Sequence, residues 1–100
     1  MSEQDPALLT HAQLAAAPAD QRVPLVEAYL LAAIRALRPD PTEPLDASRQ
    51  LADLAIDSIQ VVELKFGLDQ ALGKEIDIEL IISNPTVREL AANSIRDVGL

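Results

Sequence analysis

The chain has no cysteine, no tryptophan, one histidine, three glycines and two aromatic residues, Tyr29 and Phe66, among its 100 residues. Without cysteine there are no disulfides and no thiolate metal sites. The single histidine, His11, sits in a weakly patterned leader and reads as an exposed side chain, which leaves no base for a serine nucleophile. Gly67, Gly73 and Gly99 form neither a Gly-x-Ser-x-Gly elbow nor a phosphate-cradling loop. Cations are scarce: 8 Lys and Arg stand against 16 Asp and Glu, a net charge of −8. That balance argues against nucleic-acid binding, which needs clustered Lys and Arg. No apolar run reaches the length of a membrane span, and no basic-then-apolar signal opens the chain. A cytoplasmic protein without membrane contact is expected.

What is present is aliphatic and acidic. The apolar fraction is 49% with almost no aromatic share, so the core must be built from Leu, Ile, Val and Ala. Such a core favours small packed helices over a sheet, and the length suits one domain. Residues 39–57 carry Asp40, Glu43, Asp46, Asp53 and Asp57 against Arg49 alone. Residues 58–80 carry five acids against Lys65 and Lys74. This is either a solvated face or a surface for basic partners. The acids lack the alternating oxygens and central glycine of a calcium loop, so no specific metal site is expected.

Residues 1–21 read as a leader in which Pro6 to Ala17 can form a short helix. Leu8 and Leu14 give it a weak apolar face, and it is either a packed accessory helix or a linker. A helix is expected over 23–38, with Pro24 in its first turn, where a missing N–H costs nothing. Val26, Tyr29, Leu30, Ala33, Ile34 and Leu37 recur at helical spacing and form its buried face. Arg35 and Arg38 suit its C-terminal dipole end, and Pro39-Asp40-Pro41 stops it. A long connection, 39–56, follows; its apolar residues Leu45, Leu51, Leu54 and Ile56 should pack it across the helices, with a helical turn at 51–54. Structureless connections of that length tend to be functional.

The next helix runs from Ser58 to Leu72, with Gly73 as its stop. Ile78 to Ile82 makes a brief third helix. Asn84-Pro85-Thr86 opens a fourth, with Thr86 and Glu89 spaced as a capping box and Val87, Leu90, Ala91 and Ile95 turned inward.

Two features of the Ser58 helix stand out. Ser58 places a hydroxyl at a helix N-terminus, where unpaired N–H groups and the positive dipole end suit a phosphate ester. Second, the helix has two apolar stripes. Val61, Leu64, Leu68 and Leu72 form a core face, whereas Ile59, Val62 and Phe66 lie together on another side, bordered by Glu63 with Asp69 nearby. A helix packed on one side needs only one stripe. The second is either a docking strip with an acidic rim or a surface covered by the 39–56 connection.

Leu54-Ala55-Ile56-Asp57-Ser58-Ile59-Gln60-Val61-Val62-Glu63-Leu64 resembles the prosthetic-group site of acyl carrier proteins. The likeness extends over residues 23–96, including helix order, the long first loop and the short third helix. It implies an all-α four-helix carrier bundle over 22–97, with residues 1–21 as an N-terminal leader or extra helix. It also implies covalent 4′-phosphopantetheine, moved from coenzyme A onto Ser58 by a phosphopantetheinyl transferase, with Asp57 beside it at the cofactor site. The arm's thiol then carries acyl groups as thioesters, and the carrier itself is not an enzyme. Ile59, Val62, Glu63 and Phe66 fall where family members meet partner enzymes such as acyltransferases and ketosynthases.

Ala55 departs from the family pattern, which has glycine two residues before the aspartate; a turn needing positive φ would be strained there. Asn84-Pro85-Thr86-Val87-Arg88-Glu89-Leu90-Ala91 resembles the ending of carrier domains in modular polyketide synthases. A monomeric polyketide-type carrier is therefore expected, docking briefly and salt-sensitively through acids and a small apolar strip. A fatty-acid-synthesis or peptidyl carrier is the near alternative. An unmodified helical interaction module, with Ser58 serving only as a cap, is the distant one.

Overall fold

The computed structural model describes residues 9–37, 45–54 and 56–100. The expected stop at Pro39-Asp40-Pro41, the acids Asp40 and Glu43, Arg38, Leu8 and the Ala55 turn lie outside these residues. The described chain forms α1 (His11–Ala16), α2 (Ala19–Leu37), a 3-10 turn (Leu51–Leu54), α3 (Ser58–Leu72), α4 (Glu79–Ile82) and α5 (Val87–Asp97). Among the described residues there is no strand, only one isolated bridge between Gln50 and Thr86. The all-α architecture with a short penultimate helix is the one the periodicity predicts.

Three helices start with reciprocal capping boxes, at Thr10/Gln13, Asp57/Gln60 and Thr86/Glu89. In each, one side chain accepts an orphan backbone N–H while its partner returns the favour. The first box sets α1 in the leader, and Leu14 on α1 is fully buried in the common core. The ring of His11 lies against Gly73, where an added Cβ would meet its Cδ2 at 2.7 Å. Gly73 also ends α3 in the left-handed region at φ 76°. No other residue satisfies both demands without strain. The Arg22 guanidinium ties α1 to the core's far edge, donating to the carbonyls of Ala15 (3.1 Å) and Leu100 (3.0 Å). Within the leader, His11–Ala16 is thus a packed helix.

The start of α2 corrects the expectation for Pro24. The helix begins at Ala19, so Pro24 lies inside it, one turn later than its lack of an N–H would suggest. Asp20 and Pro24 are both exposed, which leaves the carbonyl that Pro24 cannot pair on the solvent side. Val26, Tyr29, Leu30 and Ile34 then turn inward, chiefly against α5.

The described part of the long connection is packed, as its apolar residues predict. Leu51 and Leu54 are buried, and Leu45 and Ile56 pack against the same core. Backbone bonds stitch it to the start of α5. The Leu51 N–H donates to Pro85 O, while the N–H groups of Val87 and Arg88 donate to Arg49 O and Ala47 O, all at 3.0 Å. The first orphan donors of α5 are satisfied by the loop itself. Asn84 adopts φ 59° and accepts the Ala52 N–H through Oδ1 at 2.9 Å, locking the loop to the α4–α5 corner.

Candidate functional site

Ser58 is the first residue of α3 and is exposed. It is not the cap. Asp57 holds that position: its Oδ1 accepts the Gln60 N–H at 2.8 Å, and Gln60 Oε1 accepts the Asp57 N–H at 3.0 Å. The role of Asp57 observed here is therefore structural, a finding the Asp-x-x-Gln spacing could have announced. The Ser58 hydroxyl makes no hydrogen bond among the described residues. Esterifying it would break none of the capping bonds. The start of a 15-residue helix also offers the positive dipole end to an anionic ester. An exposed, uncommitted hydroxyl at such a place fits a phosphodiester-linked arm.

Gln60 was not singled out by sequence reasoning. Its Nε2 donates to the Leu37 carbonyl at 2.9 Å, linking the start of α3 to the last residue of α2. This contact spans 23 residues, and no local pattern announces it.

The two stripes of α3 separate as expected. Leu64, Leu68 and Leu72 are buried and Val61 is half-buried. By contrast Ile59, Val62 and Phe66 are 70%, 63% and 66% exposed, so the described part of the connection does not cover them. Glu63 is exposed beside them. Asp69 is not a free part of the rim. It accepts Lys65 Nζ at 2.6 Å and the Ile76 N–H at 2.9 Å, which spends its charge and fixes the loop after α3. The strip therefore presents much apolar surface and one carboxylate at its edge.

An open apolar cleft of about 170 Å³ lies beside the root of α3, lined by Leu51, Ala52, Ile56, Val61, Ile81, Ile82 and Asn84. Ile82, 59% exposed, extends it outward on α4. Among the described residues no group of three or more His, Asp or Glu could hold a metal ion. No described helix is long and apolar enough to cross a membrane.

Comparison with known proteins shows the family. The family profile described as "Phosphopantetheine attachment site" matches residues 28–93, a span that includes all of α3. A curated relative, the highly reducing polyketide synthase VdtX of Byssochlamys spectabilis, is 30% identical over 59 residues. That match covers 59% of this chain and spans 3% of the synthase's length. Among solved structures, the A1-type ACP domain from module 5 of MLSA1 is similar with a TM-score of 0.70 and 26% identity. The match covers 93% of this chain and 94% of that domain.

Proposed function

This chain belongs to the phosphopantetheine attachment-site family, and on that premise we propose that Ser58 is the residue that carries the prosthetic group. The domain is a polyketide-type acyl carrier, and its cofactor is covalent 4′-phosphopantetheine. When bound, the group supplies a thiol that holds biosynthetic intermediates as thioesters. The observation that carries the assignment to Ser58 is its exposed hydroxyl at the start of α3, relieved of capping by Asp57.

In the loading step, Ser58 Oγ bonds to the pantetheine-bearing phosphorus of coenzyme A and the pyrophosphate P–O bond breaks. Adenosine bisphosphate leaves, and the serine proton passes to a base on the transferase. The carrier contributes no catalytic group of its own. Residues 22–97 make up the carrier domain, with α1 of the leader packed on it. The strip of Ile59, Val62 and Phe66, edged by Glu63, is the surface by which the transferase, acyltransferases and ketosynthases engage a monomeric, cytoplasmic carrier. Tethering keeps the acyl group at high effective concentration beside each enzyme so engaged. The apolar cleft next to Ile56 and Val61 offers shelter to the first part of an apolar chain.

The test is thiol labelling. The chain has no cysteine, so incubation with coenzyme A and a broad phosphopantetheinyl transferase should make it reactive to a maleimide. Folded Ser58→Ala should stay unlabelled. Labelling of Ser58→Ala equal to that of wild type would assign the group elsewhere.

A further inference from the structure

One side chain joins the two helix ends that meet at the root of the arm. Gln60 Oε1 accepts the Asp57 N–H at 3.0 Å, while Gln60 Nε2 donates to the Leu37 carbonyl at 2.9 Å. Both partners are backbone groups of fixed polarity, so the orientation of the amide follows from the network. Leu37 is the last residue of α2, and its carbonyl is among those a helix leaves unpaired at its C-terminus. Gln60 thus satisfies an orphan donor of α3 and an orphan acceptor of α2 at once, and it is partly buried between them.

Ser58 lies between the two residues of this box, Asp57 and Gln60. Fraying of the first turn of α3 would move the hydroxyl relative to Ile59, Val62 and Phe66, because one turn separates the serine from Val62. An enzyme gripping that strip needs the hydroxyl at a fixed distance and direction from it, and small misplacements of a reacting atom are costly. We infer that Gln60 is a positioning residue for transfer of phosphopantetheine to Ser58, holding the hydroxyl in register with the docking strip through the Leu37 carbonyl. The inference rests on the carrier reading above. It assigns to Gln60 the placement of the nucleophile and to the strip the binding of the enzyme.

Glutamate separates the two halves of the bridge. Gln60→Glu keeps an acceptor for the Asp57 N–H but cannot donate to Leu37 as a carboxylate, and it sets a negative charge against that carbonyl. Gln60→Ala removes both bonds. Thr86→Ala breaks the equivalent box on α5, away from the site, and controls for a general loss of stability.

Loading rates with coenzyme A and a broad transferase should show kcat reduced at least five-fold in Gln60→Glu and more in Gln60→Ala, with KM for the carrier within two-fold of wild type. Thr86→Ala should load at the wild-type kcat, and Val62→Ala should raise KM. The same samples should retain wild-type helicity by circular dichroism. Amide exchange at Val61, whose N–H donates to Asp57 O at 2.9 Å, should speed up relative to its intrinsic rate in both Gln60 variants. A wild-type kcat in folded Gln60→Glu and Gln60→Ala, or a loss confined to KM, overturns the positioning role while leaving the carrier reading intact. Equal kcat losses in Thr86→Ala and the Gln60 variants would also overturn it. Failure of wild type to load overturns both.

Discussion

The Tyr29 hydroxyl lies directly where a Cβ on Gly67 would stand, so the middle of α3 is glycine because α2 presents a buried tyrosine there. Glycine in a helix interior costs about 1 kcal/mol relative to alanine, which makes a packing reason necessary. Gly67→Ala should therefore destabilise the fold by roughly 1–3 kcal/mol, the range for overpacking. Tyr29→Phe removes the obstructing oxygen, and the next ring atom, Cζ, is 3.5 Å from the new Cβ. The double variant Tyr29→Phe/Gly67→Ala should recover most of that loss in urea denaturation. Strict additivity of the two changes would contradict the contact.

Burial raises the Tyr29 pKa above its ordinary value of 10.0. The folded state then holds the proton longer than the unfolded one. The resulting stability is intact below pH 10.0 and is lost as pH rises toward the folded-state value. Denaturation midpoints between neutral and strongly alkaline pH should fall more steeply for wild type than for Tyr29→Phe. Parallel profiles would show that Tyr29 is not the group responsible.

Asp57→Ala should cost about 1 kcal/mol in stability by removing the cap of α3, whereas Asp57→Asn should be nearly neutral, since asparagine caps equally well. Chemical denaturation of both variants checks this. An equal loss in both would mean that the charge, and not the hydrogen bond to Gln60, stabilises the helix start.

Ser94 on α5 is fully buried, and its hydroxyl has no partner among the described residues. Burying an unpaired hydroxyl costs about 1–3 kcal/mol, so Ser94→Ala should raise stability by roughly 1 kcal/mol. A loss of stability on thermal or urea unfolding would indicate a hydrogen bond the serine makes in solution.

Because Ile59, Val62 and Phe66 are exposed, polar replacements there should shift stability by only about 0.5 kcal/mol or less. They should nonetheless weaken engagement of the transferase. With Asp69 committed to Lys65 and Ile76, salt should weaken engagement only modestly. Titrations of wild type and Phe66→Ser at two ionic strengths separate these effects. A steep salt dependence equal in both would assign docking to the acids instead.

Local patterns made much of this molecule legible. The Thr86 and Glu89 spacing marks the start of α5, Gly73 marks the end of α3, and the two stripes of α3 follow from turning each residue about the axis. The same box pattern is present at Thr10/Gln13 and Asp57/Gln60. It marks a helix start at His11 within the leader and marks Asp57 as a cap. Pro24 misled because its preference for a first turn is weak against the packing of Val26, Tyr29 and Leu30, which fixes the helix whatever precedes it. The bridge from Gln60 to Leu37, the fit of Gly67 to Tyr29, the stitching of the loop to α5 and the cleft beside Ile56 are products of tertiary packing, which sequence spacing does not encode.

The decisive experiment is an intact-mass measurement of the chain after incubation with coenzyme A and a broad phosphopantetheinyl transferase. Wild type should gain one phosphopantetheine group, located on Ser58 by fragmentation and absent from folded Ser58→Ala. An unchanged wild-type mass under conditions that load a control carrier, or a gain retained in Ser58→Ala, would contradict it.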